Sequence, residues 1–489
     1  MYVLHVAFEC APIAKVGGLG DVLGALPKFL RRAGIEAAVL MPRFGDAQLQ
    51  EDALRLIHEG AFPYRNRTLS YRLWQQDAEV LGFPVYLLEE PEHFGRPGVY
   101  QDPTTGLDFP DQADRFFVFQ RGVLAVLKEG VLRPDLLHLH DHHTALLPVW
   151  LREDPAYREL AELPIVFTVH NAEHQGRYDW QVWEEIGVPV ARPEDLQHQG
   201  QLNAMKAGLL WADAVTTVSP GYARELQERE DFAAGLQEVF QRVAPKMRGI
   251  LNGIDPDIWN PATDPLIFAN YSVEDLSGKE KNKKALCEAL GLRPDRPLLV
   301  FIGRLMQEKG VDLLVAGLEQ LLTHQIDVSV VVLGTGMPAY QAALEDLRCR
   351  IVRPGGFPRL VLRFEFNNTL AHQLYAAGDM LLMPSRVEPC GLNQMYAMTY
   401  GTVPIVHAVG GLRDTVEPWD PHTQQGTGFC FETFTPRAFH QAIRRALTVY
   451  HRPDQWRVLQ RNGMQRDWSW DRSAQEYLEL YRTLVPVTS

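Results

Sequence analysis

Glycine residues beside a lysine create the first candidate ligand-binding loop of this 489-residue chain. The stretch Lys15-Val-Gly-Gly-Leu-Gly-Asp21 follows an apolar, β-rich segment and leads into residues with helical spacing. Gly17 and Gly18 allow a ligand to approach the backbone, and the start of the helix offers N–H groups and a positive dipole end. Lys15 adds a full positive charge. The loop predicts contact with a phosphate or a sugar. The alternatives are a tight turn that only needs glycines, or a dinucleotide fold whose G-x-G-x-x-G spacing this stretch does not match.

A second loop carries two cations directly after an apolar strand. Arg304 and Lys309 stand five positions apart between Gly303 and Gly310. A guanidinium binds two oxygens at once and an ammonium acts as a point charge, so the pair suits a diphosphate. Solvated surface cations are the alternative. The position at the carboxyl end of a strand, where α/β sheets bind ligands, favours binding.

A third loop, Pro384-Ser-Arg-Val-Glu-Pro-Cys-Gly-Leu-Asn-Gln394, places one acidic side chain between a strand and a helix. Amides at the start of that helix, near Gly391, would point at phosphate or sugar oxygens. Glu388 is suited to hold sugar hydroxyls or to stabilise positive charge on an anomeric carbon. Its alternative role is to cap the start of the helix.

Histidines are concentrated at the ends of two further strands. The segment His138-Leu-His-Asp-His-His143 resembles a set of metal ligands, but alternation along a strand does not direct all four imidazoles to one point. Asp141 and His142 can hydrogen-bond hydroxyl groups without a metal. His170, after another strand, can donate to a sugar hydroxyl or stabilise charge, although a single strand-end histidine is more often structural. We therefore predict no metal site.

The elements that position these residues alternate between short β-branched runs and helical stretches, which predicts parallel sheets covered by helices on both faces. The predicted strands are Tyr2–Phe8, Glu36–Met41, Pro84–Leu88, Leu136–His140, Pro164–Val169, Ala214–Val218, Pro297–Ile302, Val328–Leu333, Leu360–Leu362, Met380–Met383 and Pro404–Val406. The predicted helices are Asp21–Arg32, Asp111–Leu127, Thr144–Arg152, Val311–Leu322, Ala339–Arg348, Leu370–Ala377 and Leu392–Tyr400. Pro, Gly and charged residues in Asn252–Pro261 and Ser277–Lys284 mark a boundary between two doubly wound α/β domains that face each other across a cleft.

Composition excludes several classes of protein. With 48 Lys and Arg against 61 Asp and Glu, the net charge is −13, which disfavours nucleic acid as the main partner. No apolar run approaches the ~20 residues that cross a bilayer, so we expect no membrane partner. The N-terminus lacks the features of a secretory signal, and the five cysteines show no C-x-x-C spacing. We expect a soluble cytoplasmic protein.

Taken together and in this order, the motifs resemble those of the bacterial glycogen synthases and plant starch synthases, glycosyltransferase family five. The matching segments are Lys15–Asp21, Phe167–Asn171, Val215–Pro220, Leu251–Asp255, Gly303–Gly310 and Pro384–Gln394. Many other retaining relatives have a second Glu eight positions after the first. Tyr396 stands there in this chain, as is typical of glycogen and starch synthases.

The resemblance implies a GT-B fold with two Rossmann-like domains, residues 1–260 on the acceptor side and 261–465 on the sugar-nucleotide side. A C-terminal helix in 466–489 would cross back to the first domain. It also implies an enzyme that transfers glucose from ADP-glucose, with retention and without a cofactor, to the non-reducing end of an α-1,4-glucan such as glycogen or a maltooligosaccharide.

The resemblance also assigns roles to individual residues. Arg304 and Lys309 would neutralise the diphosphate, Lys15 would lie near the distal phosphate or the sugar, and Glu388 would lie beside the sugar. The amides of Cys390, Gly391 and Leu392 would hold glucosyl hydroxyls and phosphate. The residues implied for the facing wall are Tyr100, Asp141, His170, Asn171 and Asn252.

The sequence is also compatible with other functions. UDP-glucose as donor, or a small acceptor, would use the same scaffold and chemistry. A non-hydrolysing sugar-nucleotide epimerase shares the architecture but should lack the E-P-C-G-L segment. A non-catalytic glucan-binding paralogue is disfavoured because Lys15, Arg304, Lys309 and Glu388 are all present.

Overall fold

The computed structural model describes residues 1–186, 191–324, 326–351 and 356–485. The chain forms two compact units. Unit 1 consists of Met1–Asn252 together with Trp470–Ser489, and unit 2 consists of Gly253–Ser469. The first division falls at the start of the Pro- and Gly-rich segment that the sequence indicated.

Unit 1 is built on a nine-stranded sheet. It also contains a separate three-stranded sheet. Its strands are β1 (Tyr2–Val6), β2 (Glu36–Pro42), β3 (Leu54–Tyr64), β4 (Arg67–Gln76), β5 (Val85–Glu89), β6 (Leu136–His140), β7 (Ile165–Val169), β8 (Arg177–Asp179), β9 (Gln197–His198), β10 (Gln201–Asn203), β11 (Ala214–Thr217) and β12 (Met247–Gly249). The strands of the three-stranded sheet fall between β7 and β11 in the sequence. The order in the large sheet is β12-β11-β7-β6-β1-β2-β5-β4-β3, and all neighbours are parallel except the antiparallel β5-β4-β3 edge. Every residue of β6 and β7 is buried, as expected for strands covered on both faces.

The helices of unit 1 before residue 252 connect these strands. They are α1 (Gly18–Arg32), α2 (Ala78–Leu81), α3 (Pro91–Phe94), α4 (Gln112–Lys128), α5 (Leu147–Glu153), α6 (Trp180–Ile186), α7 (Ala204–Trp211), α8 (Pro220–Glu228), α9 (Glu230–Ala233) and α10 (Gln237–Val243).

Unit 2 is built on a six-stranded sheet that is parallel throughout, in the order β15-β14-β13-β16-β17-β18. Its strands are β13 (Leu298–Ile302), β14 (Ser329–Leu333), β15 (Leu360–Arg363), β16 (Met380–Met383), β17 (Val403–His407) and β18 (Phe429–Phe431). Its helices are α11 (Ser277–Leu290), α12 (Val311–Thr323), α13 (Pro338–Ile351), α14 (Asn368–Ala377), α15 (Asn393–Thr399), α16 (Gly410–Thr415), α17 (Pro436–Tyr450) and α18 (Pro453–Met464). Leu314, Leu318 and Leu321 of α12 join the buried cluster beneath this sheet.

Both sheets have a point at which the strand order reverses. In unit 1, β1 lies between β2 and β6, so the loops after β1 and β6 diverge there. In unit 2, β13 lies between β14 and β16, so the loops after β13 and β16 diverge. Ligands of open α/β sheets bind outside the carboxyl ends of the strands at such switch points. These four loops are the ones in which the sequence placed most of its candidate site residues.

The last helix, α19 (Trp470–Leu484), belongs to unit 1 and packs on α1. The hydroxyl oxygen of Tyr481 lies 2.6 Å from Nδ1 of His138 on β6, a contact across 343 positions of the chain. Trp470, Tyr477 and Tyr481 are each at most 2% exposed. This helix therefore completes the core of unit 1 from the far end of the sequence.

The prediction that Ser277–Lys284 is an interdomain linker is wrong, because these residues form the first half of α11 inside unit 2. Two of their polar side chains, those of Lys279 and Asn282, are buried. Nζ of Lys279 donates to the carbonyl oxygens of Ala376 and Tyr400 at 3.1 and 2.9 Å and to Oγ1 of Thr402 at 2.8 Å. The lysine thus caps carbonyl groups at the ends of two other helices.

Two further predictions about elements differ from the structure. The single helix expected over Thr144–Arg152 is a 3-10 turn at His142–Thr144 followed by α5, with Pro148 in the first turn of that helix. The β3-β4 hairpin was not predicted, because its strands have polar residues at exposed positions, such as Glu59 and Arg72, and lack the continuous apolar run of a strand buried on both faces. Among the described residues, no helix combines the length and the apolar character needed to span a bilayer.

Candidate active site

In unit 2 the loops after β13 and β16 are joined through their backbones. The amide of Arg386 donates to the carbonyl oxygen of Glu308 at 2.8 Å. Gly310 has a φ of 65°, and a Cβ atom there would lie 1.8 Å from the carbonyl oxygen of Pro384. Only glycine fits this close approach. The sequence of both loops therefore fixes their spacing at the switch point.

This spacing brings Lys309 and Glu388 together. Nζ of Lys309 donates to both carboxylate oxygens of Glu388, at 2.8 and 2.7 Å. Oγ of Ser385 donates to the same carboxylate at 2.9 Å. The Glu388 side chain is 6% exposed and that of Lys309 is 26% exposed. The carboxylate of Glu388 is thus held in place and buried, whereas the ammonium of Lys309 remains partly accessible to a ligand.

Arg304 belongs to the same loop but does not join this pair. Its Nη2 donates to Oε1 of Glu308 at 2.9 Å, and its side chain is 52% exposed. An exposed guanidinium with one carboxylate partner retains N–H groups for an anion. The structure therefore places Arg304 at the solvent side of the loop.

The turn before α15 is shaped by Gln394. Its Nε2 donates to the carbonyl oxygens of Cys390 and Gly391 at 3.1 and 2.9 Å and to Oγ1 of Thr415 at 3.0 Å. Gly391 has a φ of 74°, in the region that favours glycine. Leu392 is the residue that precedes the first turn of α15. The predicted amides of residues 390–392 thus lie in one tight turn beside Glu388.

In unit 1 the buried carboxylate of Glu9, which was not among the predicted site residues, organises the glycine loop. Oε2 of Glu9 accepts hydrogen bonds from the amides of Val16 and Gly17 at 2.6 and 2.8 Å. Oε1 of Glu9 accepts from the hydroxyl of Tyr100 at 2.8 Å. The Gly17 amide, expected to face a ligand, is therefore already bonded inside the protein. The sequence signal for Glu9 is a charged residue directly after the apolar run Tyr2–Phe8.

The other residues of this region are an open glycine, a paired lysine and a neutral tyrosine. Gly18 is exposed, and a Cβ atom built there would meet nothing within 4 Å, so its backbone remains open to a ligand. Nζ of Lys15 lies 2.6 Å from Oδ1 of Asp21. Burial and the nearby Glu9 carboxylate raise the pKa of Tyr100 well above its usual value. Tyr100 is therefore a neutral hydrogen-bond donor.

Asp141 follows β6 and has a φ of 57°, which is uncommon for a residue other than glycine. Its Oδ1 accepts from the amide of His170 at 2.7 Å, and its own amide donates to the carbonyl oxygen of Thr168 at 3.0 Å. Burial raises its pKa to about 7. Strained residues of this kind are concentrated at functional sites. The structure therefore brings together two of the predicted residues, Asp141 and His170.

The histidines divide into two groups. His142 and His143 pack against Phe116, with ring centroids 5.2 and 4.9 Å away. His5, His138 and His140 lie on the neighbouring central strands β1 and β6, with one ring nitrogen of each within 4.8 Å of the others. Both nitrogens of His138 are hydrogen-bonded, to Tyr481 and Thr168 at 2.6 Å each. The four imidazoles of the His138–His143 segment therefore do not converge on one point.

Two predicted amides have different environments. Oδ1 of Asn171 accepts from the amide of Glu173 at 3.0 Å, which stabilises the turn after β7. Asn252 is 6% exposed, and its Oδ1 has no hydrogen-bond partner among the described residues. A buried amide oxygen without a partner is costly unless a ligand satisfies it. Asn252 is thus suited to contact a ligand.

Two family models cover most of the chain. Residues 2–242 match the starch synthase catalytic domain, and residues 282–462 match the glycosyl transferases group 1.

Relatives match over the full length. A glycogen synthase of Anaeromyxobacter sp. (strain Fw109-5) is 44% identical over 491 residues, which is 99% of this chain and 100% of the relative. A glycogen synthase of Flavobacterium johnsoniae is 40% identical and covers 99% of each chain. Among solved structures, the catalytic domain of starch synthase IV from Arabidopsis thaliana bound to ADP and acarbose matches with a TM-score of 0.89, 34% identity and 99% coverage of both chains.

Proposed function

This chain belongs to the family of glycogen and starch synthases, and we propose on that premise that it transfers glucose from ADP-glucose to the non-reducing end of an α-1,4-glucan, with retention of configuration. As a member of this family it is a glucan-elongating glycosyltransferase with the GT-B fold. The choice of ADP-glucose and the retention of configuration are the parts that we propose.

The observation that carries the proposal is the Lys309–Glu388 pair at the switch point of unit 2. Transfer from a nucleotide sugar leaves negative charge on the diphosphate while the sugar gains positive character at its anomeric carbon. Lys309 offers a partly open cation, and Glu388 offers a buried carboxylate directly behind it. One group of each sign within 2.7 Å suits a reaction that separates charge.

Arg304 supplies the second cation for the diphosphate. Its exposed guanidinium is held at one end by Glu308, which leaves N–H groups to form two parallel bonds to phosphate oxygens. Fixed charges and amides of this kind each contribute about 2–4 kcal/mol to the stabilisation of a transition state. With two cations on one loop, we propose that the reaction needs no metal ion and no cofactor.

Unit 1 supplies groups suited to sugar hydroxyls. Tyr100 and His170 are uncharged, Asn252 has an unsatisfied buried oxygen, and Gly18 has an open backbone. Neutral donors and acceptors of this kind bind hydroxyl groups without the desolvation cost of a charge. We assign them, with Lys15, Asp141 and Asn171, to the glucosyl group and the glucan.

Retention by a same-face displacement fits the contacts of Glu388. Its carboxylate already accepts hydrogen bonds from Lys309 and Ser385, which makes it a weak nucleophile. Tyr396, eight positions later, stacks on Trp259 with a centroid distance of 3.8 Å and carries no carboxylate. In the proposed step the bond from C1 to the phosphate oxygen breaks, the bond from C1 to the acceptor oxygen forms, and the acceptor proton passes to the leaving phosphate.

ADP as the leaving nucleotide is supported by a solved relative. The starch synthase IV catalytic domain, 34% identical to this chain, is bound to ADP and acarbose. We therefore expect the same nucleotide here.

The test is nucleotide release with a maltooligosaccharide acceptor, with ADP-glucose and UDP-glucose compared under identical conditions. We expect acceptor-dependent release of ADP and little release of UDP. A preference for UDP-glucose would overturn the donor assignment, and release of either nucleotide without an acceptor would overturn the glucan assignment. Lys309→Met should slow this release, and Lys284→Met is its matched control, because the Lys284 side chain lies in the same unit and is 72% exposed.

A further inference from the structure

We propose that His140, supported by His5, is a positioning residue that fixes the tautomer of His170, so that His170 presents its Nδ1–H group to the sugar. The inference rests on the proposed contact of His170 with the glucosyl group. It assigns a role to two buried histidines that the proposed mechanism does not use.

Three adjacent strands form a chain of imidazole rings. His5 lies on β1, His140 on β6, and His170 directly follows β7, in the sheet order β7-β6-β1. Nε2 of His170 lies 3.0 Å from Nδ1 of His140. Nε2 of His140 in turn lies 3.1 Å from Nδ1 of His5. Each of these distances is that of a hydrogen bond between two ring nitrogens.

The rings are neutral, so each carries a single N–H group. Burial lowers the pKa of both His5 and His170 to about 3. Burial and the neighbouring histidines lower the pKa of His140 well below its usual value. In a neutral imidazole one nitrogen donates and the other accepts. The direction of one hydrogen bond therefore sets the direction of the next.

Only two directions are open to the chain. In the first, His5 donates to His140 and His140 donates to His170, which leaves Nε2 of His5 as a bare acceptor. In the second, every proton is reversed and Nε2 of His5 becomes an N–H group. That nitrogen is buried and has no hydrogen-bond partner among the described residues. A buried N–H group without a partner is the rarer and more costly defect, so the first direction is favoured.

This direction decides what His170 offers to a ligand. Its Nε2 accepts from His140, so its proton is on Nδ1. Nδ1 has no hydrogen-bond partner among the described residues, whereas the His170 amide is bonded to Asp141. The imidazole is thus a hydrogen-bond donor whose orientation is set from behind.

His138 provides a matched control. It is as buried as His140, lies on the same face of β6, and its ring stacks on that of His140 with a centroid distance of 4.2 Å. Its hydrogen bonds go to Tyr481 and Thr168 and not to the chain that reaches His170. Replacement of His138 therefore removes a similar volume without changing the tautomer of His170.

The experiment combines a spectroscopic measurement with kinetics on the full chain. Long-range ¹H–¹⁵N correlation spectra of histidine-labelled protein distinguish Nδ1–H from Nε2–H tautomers, and His170→Gln assigns the signal. We expect His170 to carry its proton on Nδ1 in the wild type and to lose this preference in His140→Leu. We expect kcat of His140→Leu to fall about 10- to 100-fold with little change in KM, the same range as when a residue that orients a metal-binding histidine is removed. His140→Asn, whose amide N–H replaces Nδ1–H, should restore most of kcat, and His138→Leu should retain it.

An Nε2–H tautomer of His170 in the wild type overturns the proposal, as do equal losses in His140→Leu and His138→Leu. Wild-type kcat in His170→Gln overturns the role of His170 itself. The tautomer is measured without substrate, so it separates this inference from the assignment of donor and acceptor. If His140→Leu does not fold, the wild-type tautomer and the activity of His140→Asn decide.

Discussion

Replacement of Lys309 tests the account of the donor loop through both stability and activity. Lys309→Met keeps the aliphatic stem and removes the charge. The Glu388 carboxylate, whose side chain is 6% exposed, is then left with Ser385 as its remaining hydrogen-bond partner among the described residues. Glu388→Gln makes the opposite change, since it removes the carboxylate and leaves an ammonium that water can reach.

The two changes should differ in cost. Loss of one partner from a fully buried ion pair costs about 3–5 kcal/mol. Because the Lys309 side chain is 26% exposed, water replaces part of the interaction, and we expect about 2–3 kcal/mol for Lys309→Met. Glu388→Gln should cost about 1 kcal/mol, because an amide still bonds to Ser385. The loss of stability in the double variant should be smaller than the sum of the two single losses by about 1–2 kcal/mol.

The measurements are urea unfolding of the four proteins and initial rates of nucleotide release. Both single variants should lose about 100-fold or more in kcat/KM, since a fixed charge contributes about 2–4 kcal/mol to the transition state. Lys284→Met should change stability by less than about 0.5 kcal/mol, as for other exposed pairs. Additive losses of stability would show that Lys309 and Glu388 are not coupled, and near wild-type rates in Lys309→Met would show that its charge does not act in the reaction.

Three other predictions follow from buried charges and from the two cations. Lys279→Met should destabilise unit 2 by about 2–4 kcal/mol in urea unfolding, because it removes buried hydrogen bonds from a charged donor to Ala376, Tyr400 and Thr402. The exposed Lys281→Met should have no such effect, and equal losses in the two variants would contradict this. Burial raises the pKa of Asp141 to about 7. Its contribution to stability is therefore present below its usual pKa near 4 and is lost as the pH rises through 7. Asp141→Asn should make the free energy of unfolding less dependent on pH over that range, and an unchanged pH profile would be evidence against this role. Activity should persist in excess EDTA, and its loss there would show that a metal ion acts in the reaction.

Much of the fold follows from local pattern. The limits of β6 and β16 agree with the predicted runs Leu136–His140 and Met380–Met383, because buried parallel strands are continuous apolar segments. Helix α11 was missed because its polar start resembles a solvated linker. The buried position of Lys279 depends on carbonyl groups about 100 residues away, which no local pattern contains.

The candidate site was predictable where it depends on topology. Lys309 and Glu388 are separated by 79 positions, yet each follows a strand, and neighbouring parallel strands bring such loops together. The role of Glu9 was not predictable, because it depends on the distance from its carboxylate to the Gly17 amide and the Tyr100 hydroxyl. The same holds for the histidine chain, whose direction depends on the burial of one nitrogen of His5.

The proposed transfer of glucose from ADP-glucose to a glucan can be checked in one experiment that identifies both products of the reaction with a maltooligosaccharide. We expect ADP in equal amount to acceptor lengthened by one glucosyl residue, with a new linkage that is α-1,4 by proton NMR. A β-linked product, or ADP released together with free glucose and no longer acceptor, would contradict it.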